Sequence, residues 1–175
     1  MRCPYCGAEI HSESILCPAC HVSVEDGLPM RWYRFLITVG LWLAGVGTVL
    51  LGFAAMFGMP YLIQGYAPGV IYDSFPPLVV MDCVYGISLA VFGAMFIVAR
   101  FRLAALRRSG PILLCVVYAL VILISVLYSA ASGRVVAGDA APLIGMPELC
   151  SLLGMLIGVT MNVIYFSKRK HLFYQ

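Results

Sequence analysis

The stretch Arg100-Phe101-Arg102-Leu103-Ala104-Ala105-Leu106-Arg107-Arg108 carries four arginines within nine residues and lies between two long apolar runs. Each arginine at the centre of a bilayer would cost about 2.5–3.5 kcal/mol, so burying all four would cost about 10 kcal/mol or more. The stretch must therefore lie at a membrane face. Because short cytoplasmic loops are rich in Lys and Arg, it also predicts the orientation of the spans on either side.

The composition of the whole chain is typical of a membrane protein. Of its 175 residues, 62% are hydrophobic and 11% are charged, whereas soluble domains carry about 25% charged residues. A helix of about 20 apolar residues crosses the ~30 Å of bilayer hydrocarbon. The sequence predicts an all-α membrane protein, a four-transmembrane-helix bundle in residues 30–175, with spans at about 35–57, 78–99, 112–131 and 147–166.

The distribution of Lys and Arg predicts that both termini are cytoplasmic and that the protein lies in the plasma membrane. Nine of the eleven basic residues flank the spans on one side, Arg2 lies in the N-terminal head, and only Arg134 falls in a predicted outer loop. The other outer loop, residues 58–77, contains no Lys or Arg but many apolar and aromatic residues. We interpret it as an interfacial flap held by its tyrosines, and a loop that binds a partner or covers a pore is the alternative.

The head and linker, residues 1–29, contain two C-x-x-C pairs separated by ten residues. Each pair can present two sulfurs at ~2.3 Å from a common Zn²⁺. Two disulfides in a secreted domain are the alternative, but the first apolar run is too late and too long for a signal peptide, so we expect the head in the reducing cytosol. The sequence therefore predicts a small zinc ribbon with a structural Zn²⁺ bound by Cys3, Cys6, Cys17 and Cys20.

Each Cys pair is expected to turn through a residue with positive φ, and Gly7 and His21 occupy these positions. The residues around His11-Ser12-Glu13 read as a short hairpin. The segment from Cys3 to His21 resembles the zinc-ribbon heads, with pattern CPxCG-x9-CPxCG, that begin many uncharacterised bacterial membrane proteins, and it departs from that pattern at His21. The C-terminal half is loosely similar to the multi-span part of such proteins. The resemblance implies this architecture and no particular activity.

Small residues recur at every fourth position of three spans, which lets helices approach closely. We interpret them as seams of the bundle or of a homo-oligomer: Gly40, Ala44, Thr48 and Gly52; Gly86, Ala90 and Ala94; Cys150, Gly154, Gly158 and Asn162.

Two carboxylates and one side-chain amide fall inside the predicted spans. Asp82 and Glu148 are expected near the outer interface, where a carboxylate caps a helix or complements its dipole. Asn162 is expected to form a hydrogen bond to another helix. Cys83 and Cys150 are expected to pack as unpaired thiols.

The sequence contains no enzyme signature, because no span carries H-E-x-x-H, a Gly-rich phosphate loop or a histidine that could activate a nucleophile. The head is acidic, which argues against a nucleic-acid partner. We expect a non-enzymatic adaptor or regulatory protein in the lipid bilayer, with the ribbon binding a protein partner. The alternative is a small transporter or channel subunit that acts as an oligomer, with a path lined by Asp82, Glu148 and Asn162.

Opposite charges on one face suggest a further hypothesis. The acidic head could dock weakly, in a salt-sensitive manner, on the Arg100–Arg108 turn. In the alternative, the arginines only fix the topology and the head moves freely.

Overall fold

The computed structural model describes residues 2–11, 14, 16–22, 24, 31–138 and 146–169. Within these ranges the regular elements are all helical, and extended pairing is limited to isolated bridges in the head, such as that between Arg2 and Glu9. The all-α prediction is confirmed. The elements are α1 (Arg31–Phe35), a π-helical turn (Leu36–Gly40), α2 (Leu41–Met56), α3 (Met59–Ile63), α4 (Pro68–Ser74), α5 (Pro77–Ala104), α6 (Ser109–Ala137) and α7 (Met146–Ser167).

Three of the predicted spans are helices long and apolar enough to cross a membrane: Arg31–Met56, Pro77–Ala104 and Ser109–Val136, of 26, 28 and 28 residues. At about 1.5 Å per residue they measure roughly 39–42 Å, more than the ~30 Å of bilayer hydrocarbon. Helix α7 coincides with the fourth predicted span, and its apolar part within the described residues is Leu152–Ser167. The fourth crossing therefore stays a prediction.

The helices extend beyond the limits that hydropathy predicts. Helix α5 does not stop near Ala99 but continues through Arg100 and Arg102 to Ala104. A hydropathy pattern locates the end of the hydrocarbon, whereas a helix can continue into the headgroup layer with its backbone hydrogen bonds intact. Leu106 then turns the chain with a φ of +51°. At Gly110 an added Cβ would lie 3.0 Å from the backbone nitrogen of Leu103, so α6 begins in close contact with the end of α5.

Helices α2 and α5 pack backbone to backbone through glycines. A Cβ added at Gly52 would lie 2.5 Å from the carbonyl oxygen of Gly86, and one added at Gly93 would lie 2.7 Å from that of Gly45. Two members of the predicted stripes, Gly52 and Gly86, are thus confirmed at the seam. The seam repeats every seventh residue, not every fourth, because helices that cross at a small angle meet again after two turns.

The two glycines of the stripe predicted in the fourth span do not form a seam with another described helix. A Cβ added at Gly154 or Gly158 would meet no atom within 4 Å, and Gly40 contacts only the neighbouring Phe35 and Leu36.

Neighbouring helices pack in the order α2, α5, α6 and α7. Leu89, Phe96, Leu114 and Val117 are among the buried side chains of the shared core. The outer surface is also apolar, since large aliphatic side chains of α2, α5 and α6 are exposed along their length. Only 22–28% of the apolar stretch in each of the three membrane-length helices is buried. An apolar exterior around an apolar core is compatible with a membrane protein and untypical of a soluble monomer.

The bundle has two ends that differ in what they contact. We call the end near Tyr33 and Leu103 the head end, because Leu16 of the N-terminal head packs against the core there. The opposite end, near the start of α5, is the loop end and carries the flap, defined here as α3 and α4 with their connection (residues 59–74).

Candidate functional site

The four cysteines of the head converge on one point. Their sulfurs all lie within 4.8 Å of one another. The Sγ atoms of Cys3 and Cys20 are 3.7 Å apart, and those of Cys6 and Cys17 are 3.6 Å apart. Four sulfurs at ~2.3 Å from a tetrahedral ion are separated by about 3.8 Å. The predicted ligands are therefore brought together with a spacing close enough to bind a metal ion.

The two Cys pairs have the same backbone geometry. The N–H of Gly7 donates to the carbonyl of Cys3, and the N–H of His21 donates to that of Cys17, both at 2.9 Å. Gly7 and His21 have φ of +73° and +56°. The predicted positive φ is thus confirmed at both positions, including the one without glycine. Of the predicted hairpin, Ser12, Glu13 and Ile15 lie outside the described residues; the N–H of Ser14 donates to the carbonyl of His11 at 3.1 Å.

Backbone N–H groups shift the pKa values of the two thiols in the second pair, Cys17 and Cys20. The N–H groups of Cys20 and Ala19 lower the pKa of Cys17 to about 6. The N–H of Val22 favours the thiolate of Cys20, but burial and the three neighbouring sulfurs outweigh it and raise the pKa of Cys20 to about 12. At neutral pH the Cys17 sulfur is therefore available as a thiolate, the form that binds a metal ion.

The second Cys pair also joins the head to the bundle. Leu16, before Cys17, packs against the core at the head end, and His21, after Cys20, forms a hydrogen bond between its Nε2 and the Arg34 guanidinium. Burial and the charge of Arg34 lower the pKa of His21. Its ring is therefore neutral at pH 7, so Nε2 can accept from the arginine.

The hypothesised docking on the Arg100–Arg108 turn has no ion pair to support it among the described residues. Of the head's acidic residues only Glu9 is described, and none of its contacts is an ion pair with that turn; Glu13, Glu25 and Asp26 lie outside the described ranges. The observed contact uses an apolar side chain and an uncharged histidine.

Asp82 lies at the loop end, as predicted, but the predicted capping role is wrong. Its side chain is only 2% exposed and accepts three hydrogen bonds. Tyr61 and Tyr72 donate to Oδ2 at 3.0 and 2.9 Å, and Tyr128 donates to Oδ1 at 2.6 Å. The start of α5 needs no carboxylate cap, because backbone carbonyls before the helix already accept the N–H groups of its first turn, such as that of Leu78.

The three tyrosines come from three different elements, α3, α4 and α6. Tyr61 and Tyr72 pack edge to face with ring centroids 5.7 Å apart, and Tyr128 stacks on Tyr85 at 4.1 Å. Burial and the Asp82 carboxylate raise the pKa of Tyr72, which therefore remains a donor at neutral pH. These bonds attach the flap to the bundle through two of its tyrosines, Tyr61 and Tyr72. Sequence reasoning named the flap tyrosines but did not connect them to Asp82.

Asn162 forms the predicted interhelical bond. Its Oδ1 accepts from Trp32 Nε1 at 3.1 Å, and its Nδ2 donates to the carbonyl of Gly158 at 2.9 Å. At the same end the Tyr33 hydroxyl donates to the carbonyl of Leu103 at 2.8 Å. Asn162, 2% exposed, is fully engaged within the protein.

Two polar residues of the hypothesised path, Asp82 and Asn162, are not brought together. Along α5, Asp82 and the head end near Leu103 are separated by about 31 Å at 1.5 Å per residue, and Asn162 belongs to the head end. Glu148 lies in the first turn of α7, and its side chain is outside the described part of the structure. Cys83 is a free thiol, as predicted.

Fold and site together define an all-α protein with three bilayer-length apolar helices and an N-terminal four-cysteine cluster. Compared with known families, with curated proteins and with solved structures, the chain has no match. The resemblance to zinc-ribbon membrane proteins therefore stays a prediction.

Proposed function

We propose that the chain is a four-span protein of the plasma membrane, with both termini in the cytoplasm, whose zinc ribbon recruits a protein partner to the membrane. It acts as an adaptor or regulator and not as an enzyme. The observation that carries the proposal is the convergence of the four cysteine sulfurs within 4.8 Å of one another, in a head joined to the bundle through Leu16 and His21. Four protein ligands occupy every position of a tetrahedral ion, which suits a structural role and leaves no position for a substrate.

Zinc is the ion that best suits this site. A tetrahedral set of four thiolates favours zinc or iron over magnesium or calcium, and zinc adds no redox chemistry in a reducing compartment. The head also needs the metal to fold, since its buried core among the described residues consists of Cys3, Ile10 and Cys17. So small a core cannot stabilise a fold without a metal or a similar cross-link.

The partner binds the first Cys pair in this proposal. The bundle contacts of the head flank the second pair, at Leu16 and His21, whereas Pro4, Tyr5 and Cys6 of the first pair are exposed. Tyr5, with 54% of its surface accessible, is the largest exposed side chain of the described head. Tyrosine is enriched in the energetically dominant part of protein interfaces. We therefore assign Tyr5 as the partner's main contact.

A pull-down of the tagged full-length protein in mild detergent tests this proposal. We expect one stoichiometric partner, identified by mass spectrometry, that is retained by wild type and lost with Tyr5→Ser or with Cys17→Ser. Tyr66→Ser is the matched control, because Tyr66 is similarly exposed (57%) but lies at the loop end. A partner that survives Tyr5→Ser and is lost with Tyr66→Ser would refute recruitment through the head, and the absence of any partner would refute the adaptor role.

The transporter alternative has weaker support. Within the described residues, the two buried polar side chains of the hypothesised path lie at opposite ends of the bundle, and both have hydrogen-bond partners inside the protein. A substrate path would require these bonds to break.

A further inference from the structure

Arg100 occupies an unusual position at the head end. Its Nε donates at 2.8 Å to the carbonyl of Ile37, which belongs to the π-helical turn. Its guanidinium lies over the ring of Trp42, 4.8 Å from the centroid, and over the ring of Phe101, 5.0 Å from the centroid. Two helices thus hold this cation, since Trp42 belongs to α2 and Phe101 to α5. Short π-helical turns occur preferentially at functional sites.

This partly buried cation lacks an anion within the described part of the chain. Of its five N–H groups only the one on Nε has an acceptor there, and no described carboxylate lies within ion-pair distance of it. The aromatic faces and the carbonyl occupy one side of the guanidinium and leave its Nη groups able to bind an anion. The two Nη atoms are the groups that such an anion would contact, in the forked geometry that suits phosphate.

The position of Arg100 matches the headgroup layer of a bilayer. Helix α5 measures about 42 Å, roughly 12 Å more than the hydrocarbon thickness, and Arg100 lies within its last two turns. Arginine and tryptophan together are typical of membrane interfaces. Trp42 and Phe101 are 39% and 55% exposed, so both rings face outward beside the guanidinium.

We propose that Arg100 binds the phosphate of an anionic phospholipid between α2 and α5. The acyl chains lie along exposed aliphatic side chains that are one turn nearer the bilayer centre than the two aromatic rings. These are Val46, four residues after Trp42, and Val98, three residues before Phe101. Preference for an anionic over a zwitterionic lipid comes from the three neighbouring arginines of the turn, which are all exposed: Arg102, Arg107 and Arg108. The proposal rests on the proposed bilayer arrangement but is independent of the adaptor role.

Native mass spectrometry of the full-length protein in neutral detergent tests the site, with phosphatidylglycerol or phosphatidylcholine added. We expect one phosphatidylglycerol per chain, bound about tenfold more tightly than phosphatidylcholine. Arg100→Gln should weaken phosphatidylglycerol binding by about tenfold or more, because it removes the cation from the site. Arg134→Gln makes the same charge change near the loop end of α6 and should leave binding unchanged.

A second variant separates the site from a general loss of folding. Trp42→Leu keeps every arginine but removes one stacking face, so we expect weaker phosphatidylglycerol binding at an unchanged melting temperature. If Arg100→Gln fails to fold, the phosphatidylglycerol binding of Trp42→Leu tests the site in its place. Millimolar inorganic phosphate distinguishes the two sources of the anion: retention of the lipid supports the proposal, and complete displacement would overturn it in favour of a free-anion site.

Equal binding of the two lipids, or wild-type binding by Arg100→Gln, would overturn the proposal. An equal loss of phosphatidylglycerol binding with Arg134→Gln would also overturn it, since binding would then follow net charge alone. A failure of the adaptor proposal is distinguishable, because it concerns a protein partner and Tyr5 and leaves these measurements unaffected.

Discussion

Gly52→Ala should destabilise the bundle by driving α2 away from α5. The added methyl carbon would lie 2.5 Å from the carbonyl oxygen of Gly86, 3.1 Å from the nitrogen of Ala90 and 3.2 Å from Cβ of Leu89. Two of these three atoms are backbone, so no side chain can move aside to relieve the closest contact. The helices must instead separate by roughly 0.5–1 Å along their seam, and such overpacking costs about 1–3 kcal/mol.

Helix propensity works in the opposite direction and must be subtracted. Alanine is favoured over glycine inside a helix by about 0.5–1 kcal/mol. Because the clash involves backbone atoms, we take the upper part of the overpacking range, which leaves a net destabilisation of about 2 kcal/mol. Gly47→Ala is the matched control in the same helix, since a Cβ there would meet no atom within 4 Å. It should gain stability by up to about 1 kcal/mol, so the two variants should differ by about 3 kcal/mol.

The free energy of unfolding of both variants can be measured by titrating the purified protein with SDS in mixed micelles, followed by circular dichroism. Wild type and the two alanine variants should give parallel transitions with different midpoints. If Gly52→Ala were as stable as Gly47→Ala, the two backbones would not meet at this seam, and the packing of α2 on α5 would have to be abandoned.

Three further changes test the flap, the metal centre and the contact between head and bundle. Tyr72→Phe removes the 2.9 Å bond from the flap to Asp82 and should weaken the attachment of the flap by about 1–3 kcal/mol, read as faster deuterium exchange at residues 59–74; Tyr66→Phe should not, and equal rates would contradict the tyrosine attachment. Cys17→Ser should lower the metal content from about one ion per chain to none, whereas Cys115→Ser in α6 should keep it. Leu16→Ala should speed deuterium exchange of the head with the metal retained, and an unchanged rate would argue that Leu16 does not hold the head.

The sequence contained enough information to place the helices, because bilayer-length apolar runs separated by charged or Gly/Pro-rich turns are a local signal. The same holds for the four-cysteine cluster. Two short Cys pairs fix most of the geometry within a few residues each, and the need for positive φ after the second cysteine selects Gly7 and tolerates His21. These features depend on neighbours along the chain and on few distant contacts.

The role of Asp82 could not be predicted in the same way. Its partners lie 10, 21 and 46 residues away, and they meet only when α3, α4 and α6 pack around α5. The contact of the head with the bundle is a similar case. Net charge favoured contact through the acidic residues of the head, whereas the described contacts with the bundle are the packing of Leu16 and one hydrogen bond from Arg34, in keeping with the small contribution of exposed charges once salt screens them.

The buried polar contacts fix the register of the helices, which the glycine seam alone does not determine. A seam of glycines is smooth, and without a hydrophobic driving force between helices in lipid it gives little resistance to sliding along the helix axis. Asp82 of α5 fixes the loop end through Tyr61 of α3, which follows α2 in the chain, and Tyr33 of α1, which precedes α2, fixes the head end through the carbonyl of Leu103. A slip of one helical turn, about 5.4 Å, would break such a bond and leave polar groups unpaired in an apolar environment, where each costs several kcal/mol. Close packing therefore brings the helices together, and a few polar bonds near the two ends determine their register.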